Sequence, residues 1–466
     1  MNSHIGPDAA IAQDTASGDR MALFHANASA PDVADDRAAL DNVYRRVAWR
    51  IMPILLAAQV MAFLDRVNIG TAKLQMASDL HLSATAYGFG AGVFFIGYFV
   101  FEVPSNLLLH KLGARAWIAR IMISWGVVSA ATMFVHSTNG FYVQRFLLGL
   151  TEAGFFPGII LYLTYWFPDH RRGRMTTLFM TATAVSGIVS GPLSAWILHA
   201  LDGYLSLEGW RWMFLIEAVP AIVIGLVVAV ALPAGPNEAR WLDASERSLL
   251  EREIGSGQSR AAQKHGHTLK ALANPAVLSF SAIYFLLLAG LYGVSFWLPT
   301  VIQSAGVSST VTNGWITVVP YASAAVAMNI VARIADRTRQ WARAVGLSAL
   351  VACVAFILSA VYASNLVIAV LTLSVACAGI LSALPLFWNL PTARLSGVAA
   401  AAGIALINSI GNLAGFVSPF AIGWITDITH HASIGVGVLG VAALIAGVLT
   451  LQFDRRQRRL APTTAD

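Results

Sequence analysis

Residues 49–70 read WRIMPILLAAQVMAFLDRVNIG, an apolar run of membrane-spanning length that nevertheless carries an acid and an arginine, Asp65 and Arg66. A second run, residues 141–167, reads FYVQRFLLGLTEAGFFPGIILYLTYWF and carries Arg145 and Glu152. About 20 apolar residues in a helix cross roughly 30 Å of hydrocarbon. An ionised side chain at that depth costs from about 2.5 to more than 10 kcal/mol. It persists where it pairs, lines a wet cavity, or works on a charged substrate or proton. Two acids and two arginines on separate spans point to a buried site that handles an anion and a proton. They also fit two structural ion pairs that only lock helices together. A pair that breaks in one conformation would serve both readings.

Working outward, apolar runs of this length recur near Leu55, Phe95, Val127, Phe156, Val189, Val223, Leu288, Ala324, Ala355, Val375, Leu413 and Leu444. The pattern predicts an all-α membrane protein with twelve transmembrane helices. Composition agrees: 57% of residues are hydrophobic and only 12% charged, about half the charge of a soluble domain. Mean hydropathy is +0.66 and the pI is about 9.5. The basic balance follows topology and implies no nucleic-acid partner. Arg45, Arg46 and Arg50, then Lys111 and Arg115, then Arg171, Arg172 and Arg174 fall in alternate loops. The central loop, Arg333 to Arg343, Arg394 and the tail from Arg455 to Arg459 continue the series, while the intervening loops hold Lys73 and Arg211. The positive-inside rule then places both termini in the cytoplasm of a multi-pass protein of the bacterial inner membrane, with lipid bilayer as its surroundings.

Residues 1–44 mix Asp, Ala, Ser and Gly without periodicity and read as a disordered cytoplasmic tail. They contain acids and no apolar core segment, so no signal peptide is expected, and the first helix would direct insertion. Residues 233–274 form the longest polar interruption and split the spans into halves, 45–232 and 275–453, with a basic tail at 454–466. Within the interruption, WLDASERSLLEREI suits a short amphipathic helix opened by an Asp or Ser cap. Cys353 and Cys377 both sit in apolar spans, which argues against a disulfide framework.

The halves resemble each other. Basic turns follow the second span (NLLLHKLGAR) and the eighth (VARIADRTRQ). Gly187, Gly191 and Pro192 in the fifth span answer to Gly411, Gly415 and Pro419 in the eleventh, with Pro168 and Pro391 upstream of each. Small residues four apart let helix backbones approach closely in lipid. Two parallel six-helix repeats predict a carrier with its site between the halves near mid-membrane.

The stretches LDRVNIG, FEVPSNLLLHKLGAR and RFLLGLTEAGFFPGIILYLTYWFP resemble the anion:cation symporter family of the major facilitator superfamily. That family includes sialin-related carriers and bacterial permeases for galactonate, tartrate, phthalate and hydroxyphenylacetate. The similarity runs from about Val47 to Phe453. It implies the major facilitator fold, with Asp65 and Glu152 as protonation sites and Arg66 as a substrate ligand. It also implies that Arg145 tunes Glu152 and binds or steers the anion, and that Tyr98 and Asn408 match pocket positions. The superfamily's acidic-basic loop is degenerate in the first half, where His110 and Lys111 stand. Asp336 and Arg337 preserve it in the second, so gating would fall mainly there.

Counting residues adds detail. The first span rises and the fourth descends, which puts Arg66 and Arg145 at similar depth in the outer half. Glu152 lies two turns deeper than Arg145 on the same face, with Gly149 leaving room between. Two guanidiniums at one level would clamp a carboxylate, to which their planar forks are matched. The second half has no charge deep in a span. It offers Tyr284 and Tyr292, Trp388 and Asn389 in PLFWNLP, and Asn408 and Asn412 one turn apart. The asparagines would read hydroxyl or carboxylate groups or serve as interhelical glue; Trp388 would stack on substrate or pack, and the tyrosines carry the weakest signal. Glu102 and Glu217, near helix ends, suit caps or gate partners, and Gly88-x-Gly90 suits helix packing.

The expectation is a secondary transporter importing a small organic carboxylate by proton symport through alternating access, acting as a monomer. Protons are its coupling ion, and no cofactor, metal or catalytic residue is expected. No phosphate-binding GK[ST] loop suggests ATP drive. The first alternative is a proton-coupled antiporter exporting hydrophobic compounds: Gly187-x3-Gly191-Pro192 partly resembles an antiporter motif, with Ser194 and Ala195 where glycines would follow. A membrane sensor would need an output domain larger than the polar segments allow, and an enzyme would need a nucleophile or metal cluster.

Overall fold

The computed structural model describes residues 30–261, 274–395 and 398–460. Among the described residues there is no strand, and twelve helical stretches are long and apolar enough to cross a bilayer. The first half comprises α1 (Ala30–Asp79), α2 (Ala84–Leu112), α3 (Ala114–Ala130), α4 (Thr138–Glu152), α5 (Phe155–Thr164), α6 (Asp169–Ala200) and α7 (Gly209–Ala231). Helix α8 (Ala244–Ala261) lies in the central connection. The second half comprises α9 (Pro275–Ser304), α10 (Thr310–Thr338), α11 (Trp341–Val361), α12 (Leu366–Phe387) and α13 (Asn389–Thr392). It ends with α14 (Val398–Asn412), α15 (Ala414–Thr429) and α16 (Ala432–Leu460).

Three spans are broken helices: α4 with α5, α12 with α13, and α14 with α15. The breaks fall beside Glu152, Trp388 and Asn412. Irregular backbone at membrane depth is tolerated where protein buries it or a cavity borders it. At the first break Gly154 takes φ +89°, a left-handed conformation that suits glycine. The carbonyl of Ala153 accepts a 2.6 Å hydrogen bond from the Ser105 hydroxyl, which in turn accepts from Trp117 Nε1 at 2.9 Å.

Within each half most of the packing joins helices that are not sequence neighbours, such as α2 with α4, α3 with α7, α1 with α6 and α11 with α16. Between halves the main pairs are α1 with α9, α2 with α15, and α6 with α10, with lighter contact of α2 with α14 and α6 with α12. The main seams lie on the face opposite the termini and depend on glycine. A Cβ at Gly88 would strike the backbone of Pro419 and Phe420, and one at Gly92 would strike Phe416. A Cβ at Gly191 would strike Thr317 and the Gly314 carbonyl, and one at Gly70 the carbonyls of Ser295 and Phe296. Close backbone approach of this kind supplies dispersion contact where lipid offers little hydrophobic drive. Gly187 and Gly191 therefore serve the seam between halves, and so does Gly415, which faces Phe95; Gly411 packs on Tyr284 of its own half. Gly88 packs on helix backbone as the sequence suggested. Asp427 accepts from the backbone N–H groups of Ala84 and Thr85 at 3.0 and 2.8 Å, capping α2 from the other half.

On the termini's face the central connection docks on the first half. Asp243 accepts from the N–H of Glu246 at 2.7 Å, and Glu246 accepts from the N–H of Asp243 at 3.2 Å. This reciprocal capping box opens α8, and Glu246 also pairs with Arg46 at 2.8 Å. The boundary of the N-terminal tail needs correction. Helix α1 already begins at Ala30, because the Ala-rich run ahead of the span contains good helix formers. Asp41 pairs with Arg171 and Tyr44 stacks on Phe167, which ties residues expected in the tail to the first half. Residues 1–29 lie outside the described residues, as do 262–273 and 461–466.

Candidate functional site

Beneath the closed seam is a cavity of about 140 Å³ between the halves. It starts at Arg66 and extends toward the termini's face past Gln59, Met180 and Met328. Helix α1 positions Arg66 by its rise: Gln59 and Arg66 are seven residues apart, two turns on one face. Arg66 pairs with Glu152 of α4. It also donates a 3.3 Å hydrogen bond to the Tyr292 hydroxyl of α9, which donates at 3.3 Å to Asn412 Oδ1. One guanidinium thus joins an acid of the first half to an amide of the second. The rings of Phe94 and Tyr98 lie beneath it, 5.3 and 5.7 Å from Cζ.

Asp65 points elsewhere. It is buried and accepts from the Ser129 hydroxyl of α3. Arg145 has no exposed surface, and its Nε, Nη1 and Nη2 have no hydrogen-bond partner among the described residues. The same holds for Asp65 Oδ2 and Glu152 Oε2. The Arg145 guanidinium packs 5.1 Å from the centre of the Phe94 ring that also underlies Arg66. Of the four sequence-predicted charges only Arg66 lines the cavity; Glu152, fully buried, pairs with it from behind, and Asp65 and Arg145 lie with Glu152 behind the wall. With all four ionised the cluster is neutral. A proton on either carboxyl leaves it one positive charge, which is the state that attracts an anion.

The remaining expected residues are divided. Tyr98, Tyr284, Asn408 and Asn412 line the cavity with Arg66. Arg145 does not, because α2 passes close to α4: Gly149 faces the backbone of Phe94 and Tyr98. The room left by Gly149 is filled by a helix. Trp388 packs edge-on against Tyr284 at 4.9 Å and is absent from the cavity lining. Asn389 donates to the Leu386 carbonyl at 3.3 Å and borders a separate pocket with Arg339 and Arg394. Asp336 accepts from Trp341 Nε1 at 3.1 Å within its own half, and Arg337 is exposed. Asn408 is engaged with Glu102, whose two oxygens accept from Asn408 Nδ2 at 3.1 Å and Ser409 Oγ at 2.9 Å. Glu102 thereby bridges the halves on the termini's side of the cavity.

Tyr292, one of the two tyrosines with the weakest sequence signal, is the one that touches Arg66, two turns beyond Tyr284 on α9. Gln59 and Thr183 escaped the sequence reading. Gln59 donates to the Thr183 hydroxyl at 3.2 Å across the far part of the cavity. The facing that Gln59 shares with Arg66, and Tyr292 with Tyr284, at helical spacing was the available signal.

Broken spans, paired halves and a largely apolar cavity with a charged end at their junction define the architecture of a membrane transporter. The chain belongs to the major facilitator superfamily, whose pattern matches residues 55–419. A relative from Agrobacterium vitis, provisionally named a tartrate transporter, is 45% identical over 424 residues, covering 91% of this chain and 93% of its own. The quinolone resistance transporter of Acinetobacter baumannii is 36% identical over 411 residues, 88% of this chain and 94% of its own. The fold is shared with the crystal structure of a bacterial homolog of the human lysosomal transporter Spinster, inward-facing and unoccupied. That match has a TM-score of 0.72 at 16% identity and covers 90% of this chain and 99% of the other.

Proposed function

We propose that the protein imports a small organic anion together with protons, the two halves rocking about the cavity. The observation that carries this is the ion pair between Arg66, which lines the cavity, and Glu152, buried directly behind it. A substrate carboxylate competes with Glu152 for the same guanidinium. Protonating Glu152 removes the competitor, so anion and proton enter the site together. Asp65 and Arg145 form a second layer through which a further proton is exchanged. The basic loops put the termini, and the end of the cavity marked by Gln59, on the cytoplasmic side. The 45% identity to a provisionally named tartrate transporter agrees with a carboxylate substrate.

Glu152→Gln fixes the buried partner of Arg66 in its proton-loaded form. The variant is expected to exchange substrate across proteoliposomes at near wild-type rates and to fail to concentrate it under an inward proton gradient. Accumulation by the variant would remove Glu152 from the coupling step. The exporter reading has its own support in the apolar part of the cavity and in the quinolone resistance relative. An exporter working as an antiporter would expel labelled compound under the same gradient and would not accumulate anion.

A further inference from the structure

The charge count of the cavity restricts what it can hold. Among the described residues, Arg66 is the one cation in the lining. Arg145 is fully buried beside Phe94 and contributes no atom to the wall. Besides Arg66 and the neutral polar groups of Tyr98, Tyr284, Tyr292, Asn408 and Asn412, the wall is mostly apolar, with Phe156, Met180, Leu288, Met328 and Leu381 in it. Gln59 and Thr183, joined by a 3.2 Å hydrogen bond, also line it and carry no charge.

Resting on the reading that Arg66 receives a carboxylate, we infer that the substrate is a monocarboxylate with a flat apolar body. A dicarboxylate would set its second charge against thioether and aliphatic groups, where an unpaired anion is strongly disfavoured. A polyhydroxy acid would need partners for every hydroxyl in a wall that is mostly apolar, and each one left unpaired is costly. A ring needs neither: aromatic faces and polarizable methionine sulfur make favourable contacts. Size agrees, since a cavity of about 150 Å³ accommodates one benzene-sized body. Asn412 and Tyr292 supply the neutral hydrogen bonds that orient one carboxylate on Arg66.

The test uses the purified full-length protein in lipid nanodiscs, read by thermal shift and by competition binding at constant ionic strength. The ligands are benzoate, succinate, L-tartrate and D-gluconate. Benzoate is expected to stabilise the protein and to bind at least about tenfold more tightly than the other three, the discrimination a pocket of fixed chemistry can supply. Tighter binding of tartrate, succinate or gluconate overturns the inference and leaves the carboxylate reading intact. Arg66→Gln separates the two layers of argument: it is expected to abolish benzoate binding. Benzoate binding that survives in that variant, or a protein that answers to none of the four acids, overturns both. Met180→Arg, which places a second cation on the apolar wall, is expected to raise affinity for succinate relative to benzoate about tenfold or more. An unchanged ratio in a folded variant, checked by its melting curve, counts against the charge-count argument.

Discussion

Arg66 is gripped from both halves at once, by the Glu152 carboxylate and by the Tyr292 hydroxyl that leads on to Asn412. The hydroxyl gives the second half a direct hold on the charge of the first. In Tyr292→Phe the ring and its stacking with Phe296 remain while both hydrogen bonds go. Each such bond is worth about 0.5–1.5 kcal/mol net, so the variant is expected to weaken anion affinity roughly 2- to 10-fold in a binding isotherm. Equal affinity in the two proteins would show that the hydroxyl is a bystander. The charged members of this cluster were legible from sequence because acids and arginines inside apolar runs are costly and therefore conspicuous. Gln59 and Thr183 were not, and Tyr292 carried only a weak signal, since neutral polar and aromatic residues occur throughout membrane helices. Counting residues set Arg66 and Arg145 at one depth, and both do pack on Phe94. Depth carries no azimuth, however, so counting could not tell that only Arg66 reaches the cavity.

At the scale of elements, the informative departures are the broken spans. The sequence reading treated 141–167 as one helix, whereas α4 stops at Glu152 and α5 restarts at Phe155. Glycine and proline are common in membrane helices without breaking them, so neither Gly154 nor Pro157 marks the break by itself. The break becomes intelligible only with α2 and α3 present, because Ser105 and Trp117 take up the freed Ala153 carbonyl. In Gly154→Ala, the left-handed conformation costs roughly 1–2 kcal/mol, and the new methyl group runs into the Ser105 side chain. The variant is expected to melt at a lower temperature and to transport more slowly, since the strain is applied two residues from Glu152. A melting curve unchanged from wild type would mean that the break has another origin. The start of α8, by contrast, was readable to within an Asp or Ser cap, because capping is a local pattern with a local cause; the structure selects Asp243 and adds the reciprocal bond from Glu246.

For the whole molecule, the two-half architecture follows from repeated patterns spaced along the chain, but the state in which the halves are held depends on contacts between residues hundreds of positions apart. Glycines at the seams allow α2 to lie against α15 and α6 against α10, and Asp427 caps α2 across the boundary. The cavity lies beneath this closure, toward the termini. If the closure is one end of a rocking motion, bulk inserted at the seam will favour the other end. Gly88 is suited to this, because any side chain there meets the Pro419 and Phe420 backbone and not a flexible neighbour. It is also remote from the charged cluster. Ala62, a buried residue of the cavity wall, can report access once converted to cysteine, and the native Cys353 and Cys377 are both buried. In the Ala62→Cys background, a membrane-impermeant maleimide is expected to label slowly from the face opposite the termini. Adding Gly88→Leu is expected to speed labelling from that face and slow it from the termini's face. A shift of the two-state balance by about 1.4 kcal/mol corresponds to a tenfold change in the population ratio. Labelling from both faces at unchanged rates, in a variant that still runs as a single species on gel filtration, would mean that the α2–α15 seam is not part of the gate.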